Sequence, residues 1–148
     1  AEEIAIGKNM LNKISVTKEG IIAGKIGTSG MHDVTEGGIL GAIWEICQIA
    51  DLGAEIWPAR IPVDEVTEKI CDYFEIDYLK LISSGSMLII VNLEKEEEIE
   101  KALESANIEV TCIGEIREKD KGIFMAENGN KTPIVPPKAD ELYKVISK

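Results

Sequence analysis

The sequence predicts an α+β domain in which helices pack on a mixed, largely antiparallel sheet. Helical and strand-like periodicities alternate along most of the chain, which calls for helices laid on a sheet. The last third carries short strand-like runs around Asn128-Gly129, a two-residue hairpin signal that makes its strands antiparallel. At 148 residues, 45% of them hydrophobic, the chain is long enough to bury one core as a single domain spanning residues 1–148.

Taken in order, residues 1–14 read as a helix end with Ile4, Met10, Leu11 and Ile14 apolar, and Ser15–Gly27 as a second helix. Gly20 and Gly24 weaken that helix or let another backbone approach closely. Thr28–Met31 closes a strand, and from Gly38 to about Ala50 the pattern is helical and apolar on most sides, leaving only Gly41, Glu45, Gln48 and Asp51 as a polar stripe. Leu52-Gly53 supplies a C-terminal glycine stop. Ala54–Trp57 is a short strand halted by Pro58. Pro62 precedes a helix over Val63–Phe74, with Val66, Ile70, Tyr73 and Phe74 on one face. Met87–Val91 is a continuous apolar run, the mark of a strand covered on both faces.

Glu94–Ala106 is an amphipathic helix with Ile99, Leu103 and the alanines as its stripe, and its crowded acidic first turn is a solvated face. Ile108–Ile116 alternates as a half-buried strand with Gly114 as a bulge. Ile123–Ala126 and Thr132–Val135 flank the hairpin turn. Pro136-Pro137 breaks the chain before a last helix over Ala139–Ile146.

Charge narrows the function classes. Sixteen basic against 27 acidic residues give a net charge of −11, so a nucleic-acid backbone or an anionic membrane would be repelled. No apolar run approaches the ~20 residues that span a bilayer. The first residues, AEEIAIG, lack the basic start of a signal peptide and an initiating Met, as at a processed end or the cut edge of a larger protein. Cys47, Cys71 and Cys112 are widely spaced, which fits buried thiols in a reducing, cytoplasmic setting. One His without clustered Cys argues against structural zinc; plentiful carboxylates leave an oxygen-ligated magnesium site open.

The stretch most suited to chemistry is Gly30–Gly41, GMHDVTEGGILG. It reads as a strand end, a polar turn and a helix start. Thr35 is the expected N-cap, and Gly37-Gly38 leave backbone N–H groups uncovered where the helix dipole favours an anion. The same glycines also suit close packing alone. On the anion reading, Gly38→Val blocks the ligand and leaves the fold largely intact.

The runs MHDVTEGGILGAIWEI, IPVDEVTEKICDYFEID and LISSGSMLIIV, with PPKADELYKVI at the end, resemble the C-terminal domain of the AIR synthase-related proteins. That superfamily takes in aminoimidazole ribonucleotide synthetase, selenophosphate synthetase and the HypE-like hydrogenase-maturation group, whose HD-x-T-x-GG pattern is matched most nearly. The resemblance implies a two-domain enzyme, of which this chain is a fragment lacking an N-terminal, dimer-forming domain that binds ATP and magnesium. In such enzymes ATP activates an amide-type oxygen or a related acceptor of a small, phosphorylated or amide-type substrate.

Carried over by position, His32 and Asp33 match the HD pair and become the catalytic candidates. Thr35, Gly37 and Gly38 become phosphate-binding candidates, and Ser84 and Gly85 fall where a second loop would line the same cleft. Turn and packing roles are the plain alternative for each. No metal ligand is assigned within the chain. Two departures stand out: Glu36 occupies a position that is often Arg in the HypE-like group, and the chain ends Ile146-Ser147-Lys148 without the group's terminal Cys. A non-catalytic binding or assembly module on the same fold is the competing reading. On either reading this chain alone is not expected to be active.

Overall fold

The computed structural model describes residues 2–146, with side chains from residue 5 onward; the Ile4 side chain and the Ser147-Lys148 terminus lie outside the described residues. The chain runs through α1 (Glu2–Met10), α2 (Thr17–Ile26), β1 (Gly30–Asp33), α3 (Gly38–Ala50), β2 (Leu52–Ile56), α4 (Glu65–Phe74), β3 (Met87–Ile90), α5 (Leu93–Ser105), β4 (Gly114–Glu118), β5 (Ile123–Glu127), β6 (Asn130–Pro133) and α6 (Leu142–Ile146). The strands form two sheets: a β1-β3 pair and a four-stranded sheet ordered β4-β2-β5-β6. Every pairing is antiparallel except β2 with β5. The expected α+β class is the one observed.

Helix α3 is the central element. Leu40, Ala42, Ile43, Ile46 and Cys47 are buried along it, and all but Ala42 join Ala54 and Ile56 of β2 and Ile134 in the main core. Its terminus departs from expectation. Asp51, at φ 58°, takes the left-handed C-cap position. Gly53 instead lies within β2, where a Cβ would come 2.5 Å from the Gly122 carbonyl oxygen and 2.6 Å from that of Glu118. The glycine is there for strand-to-strand approach.

A second core lies between α2 and α5, around Ala23, Ile99 and Leu103. Strand β3 divides the two cores. Leu88 and Ile90 pack against the α3 core, while Ile89 and Val91 pack against the α2–α5 core. That alternation explains a continuous apolar run in a strand with a period of two. Two lysines tie α2 to α5 reciprocally. Lys18 Nζ donates to the Ala106 carbonyl at 2.7 Å, and Lys95 Nζ donates to that of Ile26 at 2.8 Å.

Other expectations need correction. The strand expected over 108–116 begins at Gly114 and runs to Glu118; Gly114 is no bulge but pairs with Ile56, where a Cβ would meet the Glu55 carbonyl oxygen at 2.4 Å. In α4, Val66 and Cys71 are buried while Ile70 and Tyr73 face solvent, because the helix packs on a face one step round from the expected one. Leu11 and Ile14 are exposed rather than part of a buried stripe. Gly20 and Gly24 face the methionine side chains of Met87 and Met31, not another backbone. The Asn128-Gly129 hairpin forms as expected, with φ 50° and 79° at the two turn residues.

Candidate functional site

The junction between β1 and α3 is built by two successive glycines with positive φ, Gly37 at 87° and Gly38 at 65°. Side chains rarely adopt that conformation, so the chain can reverse into α3 there only because both residues lack a Cβ. The expected hydroxyl cap is absent. Gly37 is the N-cap residue, and Gly38 N–H donates to the Thr35 backbone carbonyl at 3.1 Å. Thr35 and Glu36 are exposed, whereas Gly37 and Gly38 are buried.

Two segments cover the glycines. The first is the stretch around Leu79–Leu81. A Cβ on Gly38 would lie 2.6 Å from the Leu79 carbonyl oxygen and 2.7 Å from that of Leu81. Gly38→Val is therefore a folding lesion and not a clean block of a ligand, contrary to the sequence expectation. The second is the terminal segment. Gly37 N–H donates to Asp140 Oδ2 at 2.7 Å, Asp140 Oδ1 accepts from Leu142 N–H at 2.8 Å, and Pro137 lies over Gly37 and Gly41. The Asp140 carboxylate is 3% exposed. An anion does sit at the start of α3, and the chain itself supplies it. The preference is the ordinary one for negative charge at unpaired helix N–H groups.

His32, on β1, meets α3 further along that helix. Its Nε2 is 2.9 Å from Glu45 Oε2, and its Nδ1 is 2.6 Å from the Asp33 carbonyl oxygen. Both ring nitrogens therefore face an acceptor oxygen. Glu45 stands seven residues beyond Gly38, about 10 Å along the axis. The structure thus does not bring His32 to the glycines. It sets His32 and Asp33 beside an open groove of about 420 Å³, with Val16, Ile21, Met31 and Met87 as apolar walls.

Ser84 and Gly85 lie in the turn that leads into β3. Val34 N–H donates to the Ser86 carbonyl at 2.9 Å, which seats the Ser83–Ser86 turn beside Asp33–Thr35. Gly85, at φ 105°, is needed for packing, since a Cβ would lie 2.5 Å from the Lys13 carbonyl oxygen. Among the described residues, no group of three or more His, Cys, Asp or Glu is gathered as a metal would require. No helix among them is long and apolar enough to cross a membrane.

Two residues of the site escaped the sequence reading. Glu45 had a signal, as one of four polar positions on an otherwise apolar helix. Asp140 had none, since it is 103 residues from its partner.

Known proteins supply the comparison. The family described as AIR synthase related protein, C-terminal domain, matches residues 8–127. Carbamoyl dehydratase HypE of Escherichia coli (strain K12) is 27% identical over 122 residues, covering 80% of this chain and 36% of that protein. The crystal structure of E. coli HypE, a hydrogenase maturation protein, superposes with a TM-score of 0.76 at 25% identity, covering 88% of this chain and 42% of that one. A hydrogenase maturation protein HypE solved in complex with ATP shares the fold, with a TM-score of 0.67 at 20% identity over 75% of this chain and 36% of its own. The chain thus spans little more than a third of the curated relative.

Proposed function

Since the chain belongs to the AIR synthase related proteins, as their C-terminal domain, we propose that it is the substrate-side half of an ATP-dependent, HypE-like enzyme. In that enzyme ATP activates an amide-type oxygen or a related acceptor on a small substrate. The observation that carries the reading is the family match across the β1–α3 junction, at a helix start already holding an anionic oxygen at 2.7 Å. The relatives lend support, one a carbamoyl dehydratase and another seen with ATP.

A phosphate group fits the donors present, because the Gly37 N–H already accommodates a carboxylate oxygen. Magnesium does not fit this chain's described residues, which gather no ligand set, and its ligands would come from the N-terminal part of the enzyme. When bound, ATP supplies an electrophilic phosphoryl group. This chain's part is to orient. Gly37 would direct its backbone N–H at a phosphate, Gly38 would shape the turn that presents it, and the Thr35 and Ser84 hydroxyls and the Gly85 backbone would stand at its rim. His32, held between Glu45 and the Asp33 carbonyl, would have to leave Glu45 to donate to the acceptor in the groove, and Asp33 would fix its position. The N-terminal domain, a second copy joined through it, and a cytoplasmic setting complete the proposal.

The test is a titration of the isotopically labelled chain with inorganic phosphate, read at the backbone amides. Shifts are expected at Thr35, Gly37 and Ser84 and not at the distant Gly129. Shifts spread evenly over the surface, or none, would remove the anion site. Steady ATP hydrolysis by these 148 residues alone would count against a split enzyme.

A further inference from the structure

The anion reading and the buried Asp140 make competing demands on one N–H. We propose that residues 136–146 form a releasable strap, in which the Asp140 carboxylate stands in for an external anion at the start of α3. Strap closure and anion binding then exclude one another. The proposal rests on the anion reading of the junction and adds its regulation.

Apart from Pro137 over Gly37 and Gly41, the strap is attached by polar clasps. Its two buried residues are both acids, Asp140 and Glu141. Val135 just before it and Ile146 at its end are 66% and 64% exposed, and α6 buries nothing. Asp140 holds Gly37. Glu141 N–H donates to the Lys80 carbonyl at 3.3 Å, and Asp77 N–H donates to Glu141 Oε2 at 3.4 Å, both long contacts. The charge of Glu141 is met within the strap by Lys144 Nζ, at 2.7 and 2.6 Å from its two oxygens. The Tyr143 hydroxyl hydrogen-bonds the Glu36 carboxylate, and that bond, with the charge behind it, pushes the Tyr143 pKa up.

Lifting the strap therefore exposes little apolar surface, and Glu141 keeps its lysine. What it loses is the match between one carboxylate and one helix start. Segments with few buried apolar contacts open most readily, and this one ends on the very group a ligand must replace. A phosphate or carboxylate ligand offers the Gly37 N–H the same kind of acceptor. Glu36, beside it, loses Tyr143 as the strap lifts.

The experiment compares the wild-type chain with Asp140→Ala and Asp140→Asn, by amide hydrogen exchange and by titration with inorganic phosphate. In both variants, exchange at residues 137–146 and at Gly37 should rise about tenfold or more, while β2 and β5 stay protected. Phosphate should bind the variants about tenfold more tightly than wild type. In the wild type, added phosphate should itself speed exchange at Glu141 and Leu142, a readout that needs no variant. Equal phosphate affinity in all three proteins, with Gly37 shifted in each, overturns the strap and leaves the anion site standing. A freed strap with no phosphate shift at Gly37 overturns the anion reading, and the exclusion with it. Unchanged exchange at 137–146 in both variants overturns the strap directly.

Discussion

At the scale of single residues, one backbone conformation serves two ends. Gly38 and Gly129 both have positive φ, 65° and 79°. Nothing lies within 4 Å of a Cβ built on Gly129, whereas one on Gly38 meets three backbone atoms of residues 79–81 at 2.6 to 2.8 Å. Gly129→Ala should then cost about 1 kcal/mol, the strain of a left-handed non-glycine residue alone. Gly38→Ala should cost at least ~3 kcal/mol, since strain is joined by a clash that only backbone movement relieves. Urea titration of both variants checks the difference. Equal losses would mean that the close approach of residues 79–81 is not a rigid feature.

At the scale of elements, α2 and α5 form an antiparallel pair locked by lysines at opposite ends. Each ammonium meets carbonyls that the end of the other helix leaves without intrahelical donors. Lys95→Met keeps the aliphatic stem and removes only the charge. It should destabilise the chain by roughly 0.5–1 kcal/mol, with Lys18→Met at the lower end because its contact is exposed. Thermal melts should show both losses shrinking as salt rises, since the interaction is electrostatic. A salt-independent loss in Lys95→Met would point to packing of the stem instead.

At the scale of the whole molecule, β3 joins two cores that would otherwise be separable. Leu103, 1% exposed in the α2–α5 core, lies on the far side of that strand from α3. Leu103→Ala should cost about 2–5 kcal/mol. Because β3 belongs to both cores, the loss should appear equally in the fluorescence of Trp44, which packs on the α3 core, and in far-ultraviolet dichroism. Two separate transitions would show that the cores unfold independently. The thiols add a pH dependence. Burial pushes Cys47 and Cys71 above the usual 9.0, and burial followed by a hydrogen bond to Glu96 does the same for Cys112. The folded chain then keeps protons that the unfolded chain has released. Stability should be full below about pH 9 and fall as pH rises past it. Alkylation of the native chain should reach half-buried Cys112 well before Cys47 or Cys71.

Local chemistry was legible where neighbours in sequence decide the outcome. Apolar periodicity marked α3 and α5, the Asn128-Gly129 turn marked the last hairpin, and the unbroken run at Met87–Val91 marked a strand packed on both sides. The motif around His32, Asp33, Gly37 and Gly38 marked the family. What stayed hidden were pairings across long stretches of chain, because neither partner carries a local sign of the other. Gly53 and Gly114 looked like a stop and a bulge until the strands beside them came into view. By itself, then, the sequence determined that a glycine-built helix start would attract negative charge, since unpaired N–H groups and the dipole follow from the helix alone. Only the tertiary structure decided which charge holds it, because seating Asp140 on Gly37 depends on bringing together two segments 103 residues apart.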